Sequence, residues 1–256
     1  MDKKLILDIE NIEYKSKKSQ VNSSFEDLKK NIDILPNVLK IFQRIHIERL
    51  KIDDNEFTIV LDNENLYLDN KFVNISSKVD FISNQVVFDL YSLYLKDVGL
   101  LIDGKLKLDY FKEQINFYGG YFYEDLEGKA NIEMNKKLAN FYLDSQDFKS
   151  LKFLKKYIKF PTIAETWMYD NVKGNISLKE FYGSFDLEKN EIILDSLMGN
   201  AVISDAKIKF HKDLKTVDSK KLEINFKNDT LDFSLNEPKY EGIPIDGSTV
   251  TINHLT

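Results

Sequence analysis

Three histidines, His46, His211 and His254, are the residues best suited to bind a metal or move a proton near neutral pH. Each stands alone in or beside an alternating stretch, with no HExxH or other spaced-ligand pattern, and reads as a solvent-facing or hydrogen-bonded histidine. Carboxylates cluster at Asp53-Asp54-Asn55-Glu56 and at Asp62-Asn63-Glu64-Asn65, where a hard cation such as calcium could find several oxygens. Neither cluster has the spacing or central glycine of an EF-hand. Both fall between apolar runs, where Asp and Asn are ordinary turn formers. An acidic pair for glycoside hydrolysis has no preferred members. There are no cysteines, which removes disulfides, thiolate metal sites and cysteine nucleophiles. Nor is there a GxSxG, a P-loop or a GxGxxG. The reading is therefore of a protein with no catalytic residues, no metal and no cofactor.

The composition narrows the class. Hydrophobic residues at 43% and aromatics at 12% exclude a disordered chain, and 256 residues can bury a sizeable apolar surface. A net charge of −6 argues against nucleic acid, which needs a basic face to displace counterions. No run of eighteen apolar residues exists to span a membrane. The first residues read as a strand rather than a signal peptide, and alternation is still running at the last ones, which leads us to expect a fragment.

The elements behind this surface are strands. Leu106, Leu108 and Tyr110 alternate with Lys105, Lys107 and Asp109, and Ile176 and Leu178 alternate with polar neighbours. The clearest stretch places Leu222, Ile224 and Phe226 before a turn at Asn228-Asp229, then Leu231, Phe233 and Leu235. Further strands are expected at 45–52, 56–61, 66–75, 86–95, 115–123, 131–134, 191–195, 201–210 and 248–253, as an antiparallel meander. A helix is expected from Ser23 or Ser24 through Phe25, Leu28 and Ile32, and Pro36 either breaks it or starts a second one with Val38, Leu39, Ile41 and Phe42. A third, at 147–158, carries Phe148, Leu151, Leu154, Tyr157 and Ile158, and a short one follows Pro161 through Trp167. A short repeat sets Gly104, Gly128, Gly174 and, more loosely, Gly199 ahead of alternating apolar residues. There Gly would permit a turn or bulge at a strand start.

Ala164-Glu165-Thr166-Trp167, then Val172-Lys173-Gly174-Asn175-Ile176-Ser177-Leu178-Lys179-Glu180-Phe181-Tyr182-Gly183, resembles the AsmA-like superfamily of Gram-negative envelope proteins, in particular its YhdP-like members. Gly199 through Phe210 and Leu222 through Leu255 resemble the strands that follow in that family. The likeness covers about 160–256 and extends over 1–159 only as a similar strand pattern, a division read as a groove portion and a family-like repeat portion. It implies a periplasmic location, an inner-membrane anchor outside these residues, and a long β-groove that shelters phospholipid tails between the two membranes. It specifies no envelope protein partner.

The expected fold is mainly β: a long curved antiparallel sheet forming an open apolar groove, with a few short amphipathic helices. The residues expected to line it are Leu106, Leu108, Tyr110, Ile176, Leu178, Phe181, Ile208, Phe210, Leu222, Ile224, Phe226, Leu231, Phe233 and Leu235. Two rivals remain: a structural or adhesive sandwich or solenoid with a dry core, and a glycan-active enzyme using an acidic pair.

Overall fold

Alternating apolar residues bury one side of a strand and leave the other to water, and this chain uses that device almost throughout. The computed structural model describes residues 4–15, 37–38, 40–82, 84–152, 155, 162–227, 230–245 and 249–253. Strands dominate, and the chain divides into two compact units, 1–123 and 124–256. Each is an open, curved sheet rather than a closed barrel. The expected boundary at 159/160 falls inside the second unit, because the strands before it pair with those after it. Among the described residues no helix is long and apolar enough to cross a membrane.

The first unit contains β1 (Leu5–Tyr14), β2 (Phe42–Ile52), β3 (Asn55–Asp62), β4 (Asn65–Asn70), β5 (Val73–Ile82), β6 (Gln85–Leu95), β7 (Leu100–Asp109) and β8 (Gln114–Tyr123). From β2 to β8 each strand pairs antiparallel with the next. β1 departs from the expected meander and pairs parallel with β2. A parallel neighbour needs a long crossover, and residues 15–41 supply the length. The acidic clusters are hairpin turns, with Asp53 (φ 52°) and Asn63 (φ 51°) in the left-handed region that Asp and Asn tolerate. The strand expected at 66–75 is two strands. Asn70 accepts hydrogen bonds on its side-chain oxygen from Phe72 N (2.8 Å) and Val73 N (2.7 Å), and this turn hides inside a continuing apolar run.

The helix expected over 23–32 lies outside the described residues. Residues 37, 38, 40 and 41 are helical, the alternative in which Pro36 starts a second helix, but Phe42 already opens β2.

The second unit contains β9 (Leu126–Met134), β10 (Leu138–Ser145), β11 (Val172–Asp186), β12 (Glu191–Ile208), β13 (Val217–Lys227), β14 (Thr230–Asn236), the short β15 (Lys239–Tyr240) and β16 (Ile243–Pro244), and β17 (Thr249–Asn253). The pairing order is β9–β10–β11–β12–β13–β14–β17, all antiparallel, with β15 beside β13 and β16 beside β15. Lys227 pairs with Thr230, so the expected hairpin closes over two residues. The strands expected at 191–195 and 201–210 form the single β12. Its pairing slips between Tyr182/Ser184 on β11, and a bulge of this kind breaks the alternation.

A helix does form after Pro161, over Thr162–Thr166, and continues as a π-helical turn over Trp167–Asn171. The helix expected at 147–158 does not begin as one. Phe148 exchanges both backbone hydrogen bonds with Ile176 (2.8 and 2.7 Å), and 149–151 are not helical. Phe148 is 1% exposed, so burial against the sheet outweighs the helical spacing of its neighbours. Lys152 and Lys155 have 3₁₀ geometry; Leu154, Tyr157 and Ile158 lie outside the described residues.

Of the repeated glycines, Gly128 and Gly174 stand near strand starts as expected, whereas Gly104 and Gly199 lie mid-strand. Gly104 (φ 128°) faces Gly119 across β7 and β8, and a Cβ on Gly104 would stand 2.4 Å from the Tyr118 carbonyl oxygen. Backbones approach there because neither residue has a side chain. Gly104→Ala should therefore destabilise the protein by about 1–3 kcal/mol, the usual range for overpacking, read from urea unfolding. An unchanged midpoint would mean that β7 and β8 separate freely at this point.

Candidate functional site

Residues paired across neighbouring strands point to the same face, so the register identifies what each face offers. In the first unit one apolar row crosses all eight strands: Ile9, Ile47, Ile59, Leu68, Ile75, Leu93, Ile102 and Tyr121. Leu106 and Leu108 lie on this face, opposite Phe88 and Phe117, and opposite Val86 and Ile115. Tyr110 falls past the end of β7 at Asp109 and packs on the Val79–Val86 cluster.

In the second unit a row crosses seven strands: Ala130, Leu143, Phe181, Gly199, Phe226, Leu231 and Ile252. Beside it run Leu178, Ala201, Ile224, Phe233 and Val250, and then Ile176, Ile203, Leu222 and Leu235. The expected residues of this unit thus share a face, while Leu106, Leu108 and Tyr110 belong to the separate face of the first unit. Phe210 also falls outside its expected strand, two residues past the end of β12.

The face of the second unit is uneven in cover. Trp167 leans on Phe233 (ring centroids 5.1 Å) and Phe210 (6.1 Å), and Phe210 meets Phe233 edge-on at 5.6 Å. Beneath these rings Ile203, Ile208, Leu222 and Phe233 are at most 1% exposed. Ile208, Leu222 and Phe233 are therefore packed core. Farther along, Ile224, Phe226, Leu231, Leu178 and Phe181 are only half-buried.

Sequence reasoning missed the part of this face given by β10, and with it Phe141 and Leu143. It also missed why two glycines sit there. A Cβ on Gly199 would stand 2.7 Å from the Phe181 ring, and one on Gly183 would stand 2.5 Å from the Phe141 ring. The two rings lie over backbone without side chains, and their centroids are 6.0 Å apart. The glycines thereby let aromatic rings lie low on the sheet.

The opposite faces carry the ion pairs, together with exposed apolar residues such as Tyr94, Leu101, Tyr182 and Met198. Lys78 bridges Glu64 (3.1 Å) and Asp80 (3.3 Å), which hold its ammonium above the usual lysine range. Lys96 lies 2.7 Å from Asp69, and the hydrogen bonds from Lys96 and Asn74 hold the Asp69 carboxyl below the usual carboxylate range. Asn200 donates to Asn225 (2.6 Å), and Thr251 donates to Asp232 (2.6 Å). Asp205, Lys207, Asp218, Lys220, Glu237 and Lys239 line a depression of about 450 Å³, with ammonium groups interspersed among its carboxylates.

His46 pairs with Asp8 and His211 with Asp213, each at 3.4 Å, and His254 lies outside the described residues. Among the described residues no three His, Asp or Glu side chains gather as a metal site would require. What the geometry offers is a surface for apolar matter, which defines the class as open β-sheet proteins with an incompletely covered hydrophobic face.

Residues 160–256 match the family described as YhdP protein. The match covers the stretch whose motifs resemble the YhdP-like members of the AsmA-like superfamily. No curated protein and no solved structure matches the chain.

The difference in cover predicts different costs of truncation. Leu222→Ala should destabilise by about 2–5 kcal/mol, as fully packed leucines do, and half-buried Phe226→Ala by clearly less in urea unfolding. Equal costs would mean that Phe226 is as enclosed as Leu222.

Proposed function

We propose that this chain is a lipid-binding segment of an AsmA-like periplasmic protein, taking phospholipid tails on its apolar faces and conducting them between inner and outer membranes without catalysing a reaction. The observation that carries this reading is the seven-strand row from Ala130 to Ile252, which has no polar member and stays half-buried over much of its course. At about 4.8 Å between strands such a row extends about 29 Å. One leaflet of a ~30 Å hydrocarbon core is about half that thickness, so a tail could lie along the row with length to spare.

Burying each methylene favours binding by about 0.8 kcal/mol, which makes entry of a tail favourable. The row offers aliphatic and aromatic contacts without a hydrogen-bonding side chain to arrest a tail, so neighbouring positions differ little in energy. Head groups would stay at the water-facing margin. In the full-length protein an anchor outside these residues would tether the groove to the inner membrane.

A second reading, a dry structural β-protein, is favoured by one observation: Ile208, Leu222 and Phe233 are core beneath the Trp167 turn. Native mass spectrometry with lipid extraction, on protein purified from bacteria without detergent, separates the two. Bound phospholipid, reduced in a folded Phe226→Asp variant, is the expected result. Lipid-free protein that also takes up no fluorescent phospholipid would leave the dry structural reading.

A further inference from the structure

The described turn Thr162–Asn171 runs directly into β11, whose first residue, Val172, pairs with Ile208. The turn brings Trp167 onto Phe233 and Phe210. We propose that this turn is a lid: Trp167 occupies part of the apolar face that a lipid tail would otherwise cover, and the turn lifts when a tail arrives. The proposal rests on the acyl-chain reading above and adds to it a regulated entry.

Three features make the closed position reversible. The turn is π-helical, a rare geometry that is frequent at functional sites. Tyr169 within it is 4% exposed, and among the described residues its hydroxyl has no hydrogen-bond partner. A buried orphan hydroxyl disfavours the closed state, and opening would return it to water. The latch is ionic and exposed: Asp170 lies 3.2 Å from Lys152 and 3.7 Å from Lys155, with side chains 53%, 59% and 41% exposed respectively. Lys155 also stands 4.7 Å from the Tyr169 ring centroid. Exposed pairs of this kind are weak enough to open and close.

The lid also explains the uneven cover. Within β13 and β14, Leu222 and Phe233 under Trp167 are at most 1% exposed, whereas Ile224, Phe226 and Leu231 remain half-buried. Lifting Trp167 would extend the accessible surface to Leu222 and Phe233, widening the face for a tail.

Trp167 is the only tryptophan of the chain, so fluorescence excited at wavelengths where its tyrosines do not absorb reports the lid alone. In the full 256-residue chain, acrylamide quenching should rise about threefold in Asp170→Asn, the size that two exposed ion pairs allow. Sodium chloride should raise quenching in the unmodified chain by screening the same pairs, which keeps the test open if the variant folds poorly. A phosphatidylglycerol with a fluorescent tail should load faster onto folded Asp170→Asn than onto the unmodified chain. Quenching unchanged by both the substitution and salt would overturn the lid. Increased quenching with unchanged loading would also overturn it, while leaving the acyl-chain reading in place. If neither protein takes up the lipid, the acyl-chain reading fails and the lid fails with it.

Discussion

The register of the sheets is the constraint on which the rest depends. Because side chains alternate across a strand, a shift of one residue would turn every inward leucine and phenylalanine to the polar side. In the second unit the pairing holds Leu143, Phe181, Phe226, Leu231 and Ile252 in one line. The same pairing holds Asn200 against Asn225 on the other face, where their amides hydrogen-bond. Bulges at Lys173/Asn175, Leu178/Glu180 and Tyr182/Ser184 keep the apolar set inward while bending β11. Gly183 and Gly199 serve the same end, leaving room for the Phe141 and Phe181 rings where a larger residue would lift them off the sheet.

A single apolar face on an open sheet has to be covered by something. Part of the cover comes from within the chain, where Trp167 and Phe210 close over Phe233 and its neighbours. The remainder is half-exposed, and a large apolar surface left open on a folded protein marks a binding surface. Cross-strand ion pairs such as Lys105–Asp89 (3.2 Å) and Arg49–Glu56 (2.9 Å) are exposed, each contributing little to stability. Their effect is on orientation, because they keep their own side of the sheet in water.

Much of this was legible in the sequence where alternation is clean. The hairpin from Leu222 to Leu235 formed in the expected register, as did the strand carrying Leu106 and Leu108. β10 was not legible because Leu138, Phe141, Tyr142 and Leu143 put apolar groups on both faces. Tyr142 instead meets Tyr182 on the outer face, with ring centroids 4.9 Å apart. Phe148 carries helical spacing, yet its backbone bridges to Ile176, a contact 28 residues away that no local pattern encodes. The parallel pairing of β1 is likewise set by tertiary packing rather than by the strand's own residues. Alternation also cannot distinguish Leu222 beneath Trp167 from Phe226 in the half-open row, since the difference lies in what covers each position.

The central claim is that lipid tails lie on the inward row of the second unit. The direct test is photocrosslinking of the folded protein with a phospholipid that carries a diazirine near the end of its tail, followed by mapping of the adducts. The account predicts adducts concentrated at Phe181, Phe226 and Leu231 and their inward neighbours. Adducts on the outward residues Glu180, Asn225 and Asp232, or none at all on folded protein, would contradict it.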